Sequence, residues 1–202
     1  MLAEAWYPAE PHHANAWLSS FEAPWWVAGG WAIDLFLEQI TRAHEDLDVG
    51  VLRDDFPALQ RCLPGWQFFE AKDGQLTELM HDVRPRPDVH SLWCRREGSS
   101  VWQLEVMLEQ MSGDEWVFRR EPKVRRRFAD VLRRSECGLR YLAPEVQLLY
   151  KSKRARPRDN ADFHSAMPRL SAAARDWLRA ALVATQPDHP WLAEIDGASR
   201  VG

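Results

Sequence analysis

The sequence predicts an α+β protein in which a mixed β-sheet carries helices on one face and a small helical lobe follows at the C-terminus. Three observations support this fold class. A glycine pair joins a short apolar strand to an apolar helix, strands with alternating polarity then dominate the first half, and only helical patterns remain after Pro144. We therefore expect two domains, a core over residues 1–135 and a helical lobe over residues 136–202.

Hydrophobic periodicity assigns the elements of the core. Apolar residues recur every three or four positions in an amphipathic helix and every second position in a half-buried strand. The predicted helices cover residues 15–22, 32–39 and 54–63. The predicted strands cover residues 25–28, 47–52, 67–71, 76–80, 89–95 and 101–108. The last strand alternates most clearly, because Leu104 and Val106 share one face while Glu105 lies on the other.

The C-terminal lobe has three predicted helices, over residues 144–153, 159–167 and 171–183. In the last of them Ala174, Leu178 and Leu182 fall on one apolar stripe, and Ser171 is a suitable N-cap. A basic turn that contains a proline, over residues 154–158, separates the first two helices.

Composition excludes several classes of protein. No apolar run is long enough to span a membrane, and the N-terminus lacks the basic region of a signal peptide. The three cysteines, Cys62, Cys94 and Cys137, are too scattered for a metal motif and indicate free thiols in a reducing compartment, so we expect a cytoplasmic protein.

Charge is distributed unevenly along the chain. The net charge is −4, yet residues 119–158 contain 14 Lys and Arg against 4 acidic residues, and the remainder contains 12 against 26. A basic region of this kind suits a polyphosphate, whereas the acidic remainder suits a cation. The alternative for the basic region is an ordinary solvated surface.

Two carboxylates, Asp46 and Asp48, form the strongest functional motif. Side chains two positions apart on a strand point to the same face, so both acids project together while Leu47 and Val49 turn to the core. Because two such carboxylates repel each other unless a cation lies between them, the motif predicts a Mg²⁺ site. The preceding Gly29 and Gly30 would let the backbone approach phosphate oxygens closely. Together these features indicate a metal-dependent enzyme that transfers nucleotides.

Transfer of a nucleotide to a hydroxyl with two metal ions needs a third acid. Glu105 is the best candidate, because it lies on the polar face of an otherwise apolar strand that could neighbour Asp46 and Asp48. It could bind metal and also accept the hydroxyl proton. The alternative is a solvent-facing strand residue, with Glu78 as the substitute acid.

Charged side chains elsewhere could bind the nucleotide. Arg42 could neutralise phosphate charge, and His44 could either bind a phosphate or merely hold its loop, the second role being slightly favoured. Lys151, together with Lys153, could reach the outer phosphates from the first helix of the lobe. For the lysines the alternative is ordinary surface charge. Asp159 and Asp162 could hold these lysines or cap the following helix.

Two segments resemble a known family. Residues 27–34 read VAGGWAID and residues 41–49 read TRAHEDLDV. They are similar to the aminoglycoside 2''-adenylyltransferase and lincosamide nucleotidyltransferase group, which belongs to the DNA polymerase β-like nucleotidyltransferase superfamily. Residues 141–151, YLAPEVQLLYK, support the resemblance more loosely.

The resemblance implies a nucleotidyltransferase core at residues 1–135, two Mg²⁺ ions, ATP or another NTP as co-substrate, and an antibiotic hydroxyl as acceptor. It also implies that Gly29 and Gly30 hold the triphosphate and that Asp46 and Asp48 bind metal. The third acid of this group is often an aspartate at a variable position, so the assignment of Glu105 rests on the strand pattern alone.

Three functions stay open from the sequence. The first is transfer to a small molecule such as an aminoglycoside or a lincosamide. The second is transfer to RNA or protein by a toxin-like or regulatory enzyme that uses residues 119–158 as its basic surface. The third is a relative that binds ligand without catalysis, which the intact Asp46 and Asp48 disfavour. We expect no membrane partner and a monomer or a homodimer.

Overall fold

A mixed sheet forms the frame of the structure, a computed structural model that describes residues 5–198. In this part of the chain the sheet has eight strands, which are β1 Trp25–Val27, β2 Asp48–Leu52, β3 Trp66–Lys72, β4 Gln75–Leu79, β5 Ser91–Arg96, β6 Leu104–Glu109, β10 Leu132–Arg134 and β11 Arg140–Leu142. Their order in the sheet is β10-β11-β1-β2-β6-β5-β3-β4. The β1–β11 and β2–β6 pairs are parallel and the other pairs are antiparallel. The predicted α+β class is confirmed.

A smaller sheet and the helices complete the fold. The smaller sheet contains β7 Met111–Ser112, β8 Glu115–Val117 and β9 Arg125–Arg127. The helices are α1 Pro11–Trp17, α2 Gly29–Leu37, α3 Phe56–Cys62, α4 Phe128–Val131, α5 Pro144–Ser152, α6 Pro157–Ala166, α7 Ala172–Thr185 and α8 Trp191–Ala198. None of the helices in the described part of the chain is long and apolar enough to cross a membrane.

Two helices begin earlier than their sequence patterns indicate. α1 begins at Pro11 and not at residue 15, because proline is tolerated in the first turn and His13 closes a capping box with Glu10. α2 begins at Gly29, so the glycine pair forms the first turn of the helix and not a loop before it. This shift places backbone N–H groups of the glycine pair at the open N-terminal end of a helix.

The pairing of β2 with β6 positions the acidic residues. Their parallel register places Asp48 beside Glu105, and the alternating residues Val49 and Val106 are fully buried on the opposite face. The predicted alternation of β6 is therefore confirmed. One face of these two strands packs into the core while the other presents polar side chains.

The helical part of the chain packs around α5, which contacts α2, α6 and α7. The β10–β11 hairpin spans the predicted boundary between residues 135 and 136 and joins the main sheet through β1. The division of the chain into a core and a helical lobe stays a prediction.

Candidate active site

Three carboxylates meet at the N-terminal ends of β2 and β6. Ligand oxygens of Asp46, Asp48 and Glu105 all lie within 4.8 Å of one another. Asp48 opens β2 and is paired in register with Glu105, while Asp46 precedes the strand by two residues. Leu47 between the two aspartates is fully buried, as the alternation predicted. We refer to these three acids as the acidic triad.

The acidic triad is not paired with a basic side chain in the part of the chain that the structure describes. Within residues 5–198 no salt bridge joins any of its members, although Glu105 accepts a hydrogen bond of 2.6 Å from the hydroxyl of Ser91. Burial, followed by the charges of Glu105 and Asp46, raises the pKa of Asp48 well above its usual range. Burial also raises the pKa of Glu105, and the charge of Asp46 adds to the shift. A site of crowded carboxylate oxygens fits a hard divalent cation such as Mg²⁺.

The alternative prediction of Glu78 as the third acid is wrong. It lies on the outermost strand β4, where its exposed carboxylate accepts a hydrogen bond of 2.9 Å from Gln67. The order of the strands separates β4 from β2 by three others, so Glu78 cannot reach Asp46 and Asp48. The sequence pattern alone did not determine which strand neighbours β2.

The glycine pair allows α2 to begin directly against the acidic triad. Gly29 has a φ of 66°, and a Cβ at this position would lie 1.8 Å from the Oδ2 atom of Asp48. Its N–H donates a hydrogen bond of 2.9 Å to the side chain of Gln147 on α5. A Cβ on Gly30 would lie 2.4 Å from Nη2 of Arg42 and from Nδ1 of His44. Both positions are therefore closed to any larger residue unless the neighbouring side chains move.

Carboxylates hold both Lys151 and Arg42, the second of which lies against Gly30. Arg42 donates two hydrogen bonds to the buried Asp162, at 3.0 and 3.1 Å. The ammonium group of Lys151 lies 2.8 Å from Asp162 and 3.3 Å from Asp159. Asp159 also accepts hydrogen bonds from the backbone and side chain of Arg156 at the start of α6. Asp159 and Asp162 therefore hold Lys151, and Asp159 also takes part in the capping of α6. Within residues 5–198, no salt bridge holds Lys153.

His44, unlike Arg42 and Lys151, is buried against α2. Its side chain is only 2% exposed, and its Nε2 atom lies 2.5 Å from the carboxylate of Asp34 on α2. The imidazole ring also lies 4.3 Å from the ring of Trp31. Thr41 donates a further hydrogen bond of 2.6 Å to Asp34. These contacts favour the structural alternative for His44, which is to fix the loop before β2, over contact with a phosphate.

The triad, the glycine pair, Arg42 and Lys151 line one cleft of about 810 Å³. Several further residues of its lining were not predicted from the sequence as site residues; they include Glu109, Gln147, Tyr150, Arg119 and Arg120. Glu109 could have been found, because it lies four residues after Glu105 and shares its strand face. Its Oε2 atom accepts hydrogen bonds of 2.8 Å from both Trp116 and Tyr150, and burial raises its pKa.

Carboxylates on adjacent strands beside a glycine-led helix, within this mixed sheet, define a protein of the DNA polymerase β-like nucleotidyltransferase class. Residues 12–164 match the family described as aminoglycoside-2''-adenylyltransferase, so the chain belongs to that family.

Curated relatives support the same family. Proteins named 2''-aminoglycoside nucleotidyltransferase from Escherichia coli and Klebsiella pneumoniae are 39% identical to this chain over 81 residues. The matched region covers 39% of this chain and 44% of each relative, which is less than half of their length.

Solved structures share the fold. The solution structure of the antibiotic-resistance factor ANT(2'')-Ia superimposes with a TM-score of 0.56 at 17% identity and covers 95% of both chains. The crystal structure of the lincosamide adenylyltransferase LnuA bound to lincomycin has a TM-score of 0.55 at 15% identity, covering 77% of this chain and 93% of its own. At these identities the likeness describes the fold of this chain.

Proposed function

We propose that this chain is a magnesium-dependent nucleotidyltransferase that moves a nucleoside monophosphate from an NTP, with ATP as the expected donor, to a hydroxyl of a small molecule. The acidic triad beside the start of α2 is the observation that carries this proposal. Membership of the family supports it, since a related crystal structure contains ANT(2'')-Ia with adenylyl-2''-tobramycin. Aminoglycosides and lincosamides are therefore the first acceptors to test.

Each side chain of the triad has a role in this proposal. Asp46, Asp48 and Glu105 would hold Mg²⁺, which would supply stabilisation of the charge on the attacking and leaving oxygens. The acceptor oxygen forms a bond to the α-phosphorus while the bond to the pyrophosphate oxygen breaks, and pyrophosphate leaves with the electron pair. Glu105 takes the proton of the acceptor hydroxyl, a contribution of roughly 10²–10⁴-fold in rate.

The start of α2 and the paired basic residues position the triphosphate. Backbone N–H groups at the N-terminal end of a helix favour an anion. The lack of a side chain at Gly29 and Gly30 lets Asp48 and Arg42 lie directly against this end of α2. Arg42 and Lys151 provide positive charge at this side of the cleft, and the carboxylates of Asp159 and Asp162 keep both in place.

The three cysteines are free thiols, which supports the proposed cytoplasmic location.

The direct test incubates the protein with each labelled NTP, Mg²⁺ and a panel containing tobramycin and lincomycin, with nucleotide adducts detected by mass. We expect an adduct of one nucleoside monophosphate and release of pyrophosphate. Glu105→Gln should abolish the adduct, whereas Glu78→Gln should leave it unchanged because Glu78 lies on the distant strand β4.

Two results would contradict the proposal. One is NTP binding that is identical with Mg²⁺ and with a chelator present. The other is a Glu105→Gln variant whose NTP affinity and transfer both match those of Glu78→Gln.

A further inference from the structure

We propose that Gln147 is a nucleotide-binding residue, whose side-chain amide nitrogen donates a hydrogen bond to an oxygen of the triphosphate at the start of α2. This inference rests on the proposed nucleotidyl transfer and adds to that site a donor from α5. The group that Gln147 recognises is the phosphate chain of the nucleotide and not its base.

The first observation is the orientation of the Gln147 amide. The backbone N–H of Gly29 donates a hydrogen bond of 2.9 Å to its Oε1 atom. The oxygen of a carboxamide accepts hydrogen bonds, whereas its nitrogen only donates them. Turning the amide over would bring two donors face to face, so the contact with Gly29 determines which atom is the oxygen. The Nε2 atom of Gln147 therefore points away from Gly29.

The second observation is the surroundings of this nitrogen. Gln147 lines the cleft, and its side chain belongs to a residue that is only 6% exposed. Within residues 5–198, its Nε2 atom donates to no other group. It is also not among the fully enclosed polar atoms that lack a partner, which in this part of the chain are Trp31 Nε1 and Arg53 Nε. The nitrogen is therefore an unused donor that opens into the cleft.

The third observation is the uncapped start of α2. Its N-cap residue, Ala28, has no side chain that could accept a hydrogen bond. Gln147 accepts from the first N–H of the helix only. The next two N–H groups, of Gly30 and Trp31, have no partner within residues 5–198. The first turn of α2 thus offers two further donors to an anion beside the amide of Gln147.

The position of Gln147 on α5 extends this set of donors. Lys151 follows it by four residues, so the two side chains lie on the same face of the helix, and both line the cleft. The ammonium of Lys151 can only donate, and so can the free end of the Gln147 amide. A phosphate chain has acceptors alone and matches such a set. An adenine base or a sugar hydroxyl also has donors, which these groups could not accept.

Two substitutions separate binding from a purely structural role. Gln147→Glu keeps an oxygen for the N–H of Gly29 but replaces the donor that faces the cleft with a negatively charged acceptor. Gln147→Met removes both groups while keeping a side chain of similar length. A carboxylate at the N-terminal end of α2 also favours the helix. The fold should therefore tolerate Gln147→Glu better than Gln147→Met, although the phosphate chain should tolerate neither.

The test measures the affinities of both variants by calorimetry for a non-hydrolysable ATP analogue with Mg²⁺, for adenosine and for tripolyphosphate. Tripolyphosphate is titrated in a chelator, so that no metal ion joins it to the new carboxylate. We expect Gln147→Glu to bind the ATP analogue and tripolyphosphate about 10- to 100-fold more weakly than wild type, as the loss of a hydrogen bond to a charged group predicts. Adenosine should bind within about twofold of wild type.

Urea unfolding of the same variants gives the second measurement. The midpoint of Gln147→Glu should equal or exceed that of wild type, whereas the midpoint of Gln147→Met should fall because the N–H of Gly29 loses its acceptor. The matched control is Gln186→Glu, which makes the same change beside Ser152 on α5 but outside the cleft lining. Its affinity for the ATP analogue should stay within about twofold of wild type.

Several outcomes would overturn the inference. One is a Gln147→Glu variant that unfolds with the wild-type midpoint and binds the ATP analogue as tightly as Gln186→Glu does. Another is an equal loss of adenosine and ATP-analogue affinity, which would place the contact on the base. Should Gln147→Glu fail to fold, Gln147→Met gives the same comparison of adenosine with the ATP analogue. Failure of the nucleotidyltransferase proposal looks different, since wild type itself would then bind no ATP analogue.

Discussion

Two groups of carboxylates lie at or beside the cleft and differ in their partners. Asp46, Asp48 and Glu105 approach one another without forming a salt bridge within residues 5–198. Asp159 and Asp162, on α6, are instead surrounded by Arg42, Lys151 and Arg156. Asp48 is buried like Asp159 and Asp162, whereas Asp46 and Glu105 are half-buried, so burial overlaps between the two groups.

This difference in pairing distinguishes carboxylates that bind a ligand from carboxylates that stabilise the fold. Paired carboxylates lower the energy of the folded protein and hold basic side chains in place. Unpaired carboxylates that crowd together raise its energy until a cation arrives, and this cost is acceptable where binding a cation is the function. The two groups should therefore respond in opposite ways to the same substitutions.

The largest expected effect is on activity, in Asp48→Asn. Loss of one triad carboxylate removes several kcal/mol of charge stabilisation in the transition state, which corresponds to about 10³-fold in kcat/KM. The free energy of unfolding in a chelator should not fall, because the substitution removes repulsion with Glu105 and Asp46. Adduct formation and urea unfolding measure the two quantities. A variant that is strongly destabilised yet active would place Asp48 with the scaffold.

The second largest expected effect is a loss of folding stability in the variant Asp162→Ala. This change leaves Arg42 without its two hydrogen bonds and Lys151 without its nearest carboxylate, at a cost of about 3 kcal/mol in the free energy of unfolding. Asp130→Ala, on the exposed surface of α4, is the matched control and should cost little. Equal urea midpoints for the two variants would show that the paired group does not stabilise the fold.

Pairing across long sequence separations explains what the sequence could not predict. The alternation of β6 selected Glu105 correctly as a polar-face acid, but it left Glu78 open because one sequence does not reveal which strands are neighbours. The contact between Arg42 and Asp162 spans 120 residues and had no local pattern. Such contacts depend on how α6 packs against α2, which hydrophobic periodicity does not specify.

Local sequence patterns were sufficient to predict the helices and strands and the N-cap of α7. The fold class followed from the alternation of strands and the apolar stripes of helices, and Ser171 does cap α7 through a hydrogen bond to the N–H of Ala174. The role of His44 was harder to predict from the sequence, although the structural role was slightly favoured. Its partner Asp34 lies only ten residues earlier, but the contact depends on how the loop before β2 folds back against α2, which hydrophobic periodicity does not specify.

A third prediction concerns the contact between α2 and the acidic triad. Gly29→Ala would place a Cβ 1.8 Å from the carboxylate of Asp48, whereas Gly98→Ala meets no atom within 4 Å. Both glycines have a positive φ, 66° and 76°, so both changes carry a similar backbone cost of about 1 kcal/mol. The additional loss of stability in Gly29→Ala, about 1 kcal/mol more, therefore reports the contact with Asp48. Urea unfolding of both variants measures this difference, and equal losses would mean that the side chain of Asp48 moves aside at no cost.

The smallest expected effect is on how the free energy of unfolding depends on pH, measured in the presence of a chelator. Burial raises the pKa of Asp159, but hydrogen bonds from Arg156 and the charge of Lys151 outweigh it, so the pKa is lower than in the unfolded chain. The stability that Asp159 provides is therefore present above the unfolded pKa near 4 and is lost as the pH falls through the folded value. The raised pKa of Asp48 has the opposite sign, so its contribution is present below about pH 4 and is lost as the pH rises toward the folded value.

Urea unfolding of Asp48→Asn and Asp159→Asn between pH 3 and 8 separates the two groups. Asp48→Asn should gain on wild type as the pH rises, because it no longer buries a charge that wild type must bury. Asp159→Asn should lose less stability than wild type on acidification, since it has no carboxylate to protonate. Parallel pH profiles for the two variants would mean that pairing does not distinguish the two groups. Opposite slopes would show that deprotonation of the buried, crowded triad destabilises the fold, whereas deprotonation of the paired Asp159 stabilises it.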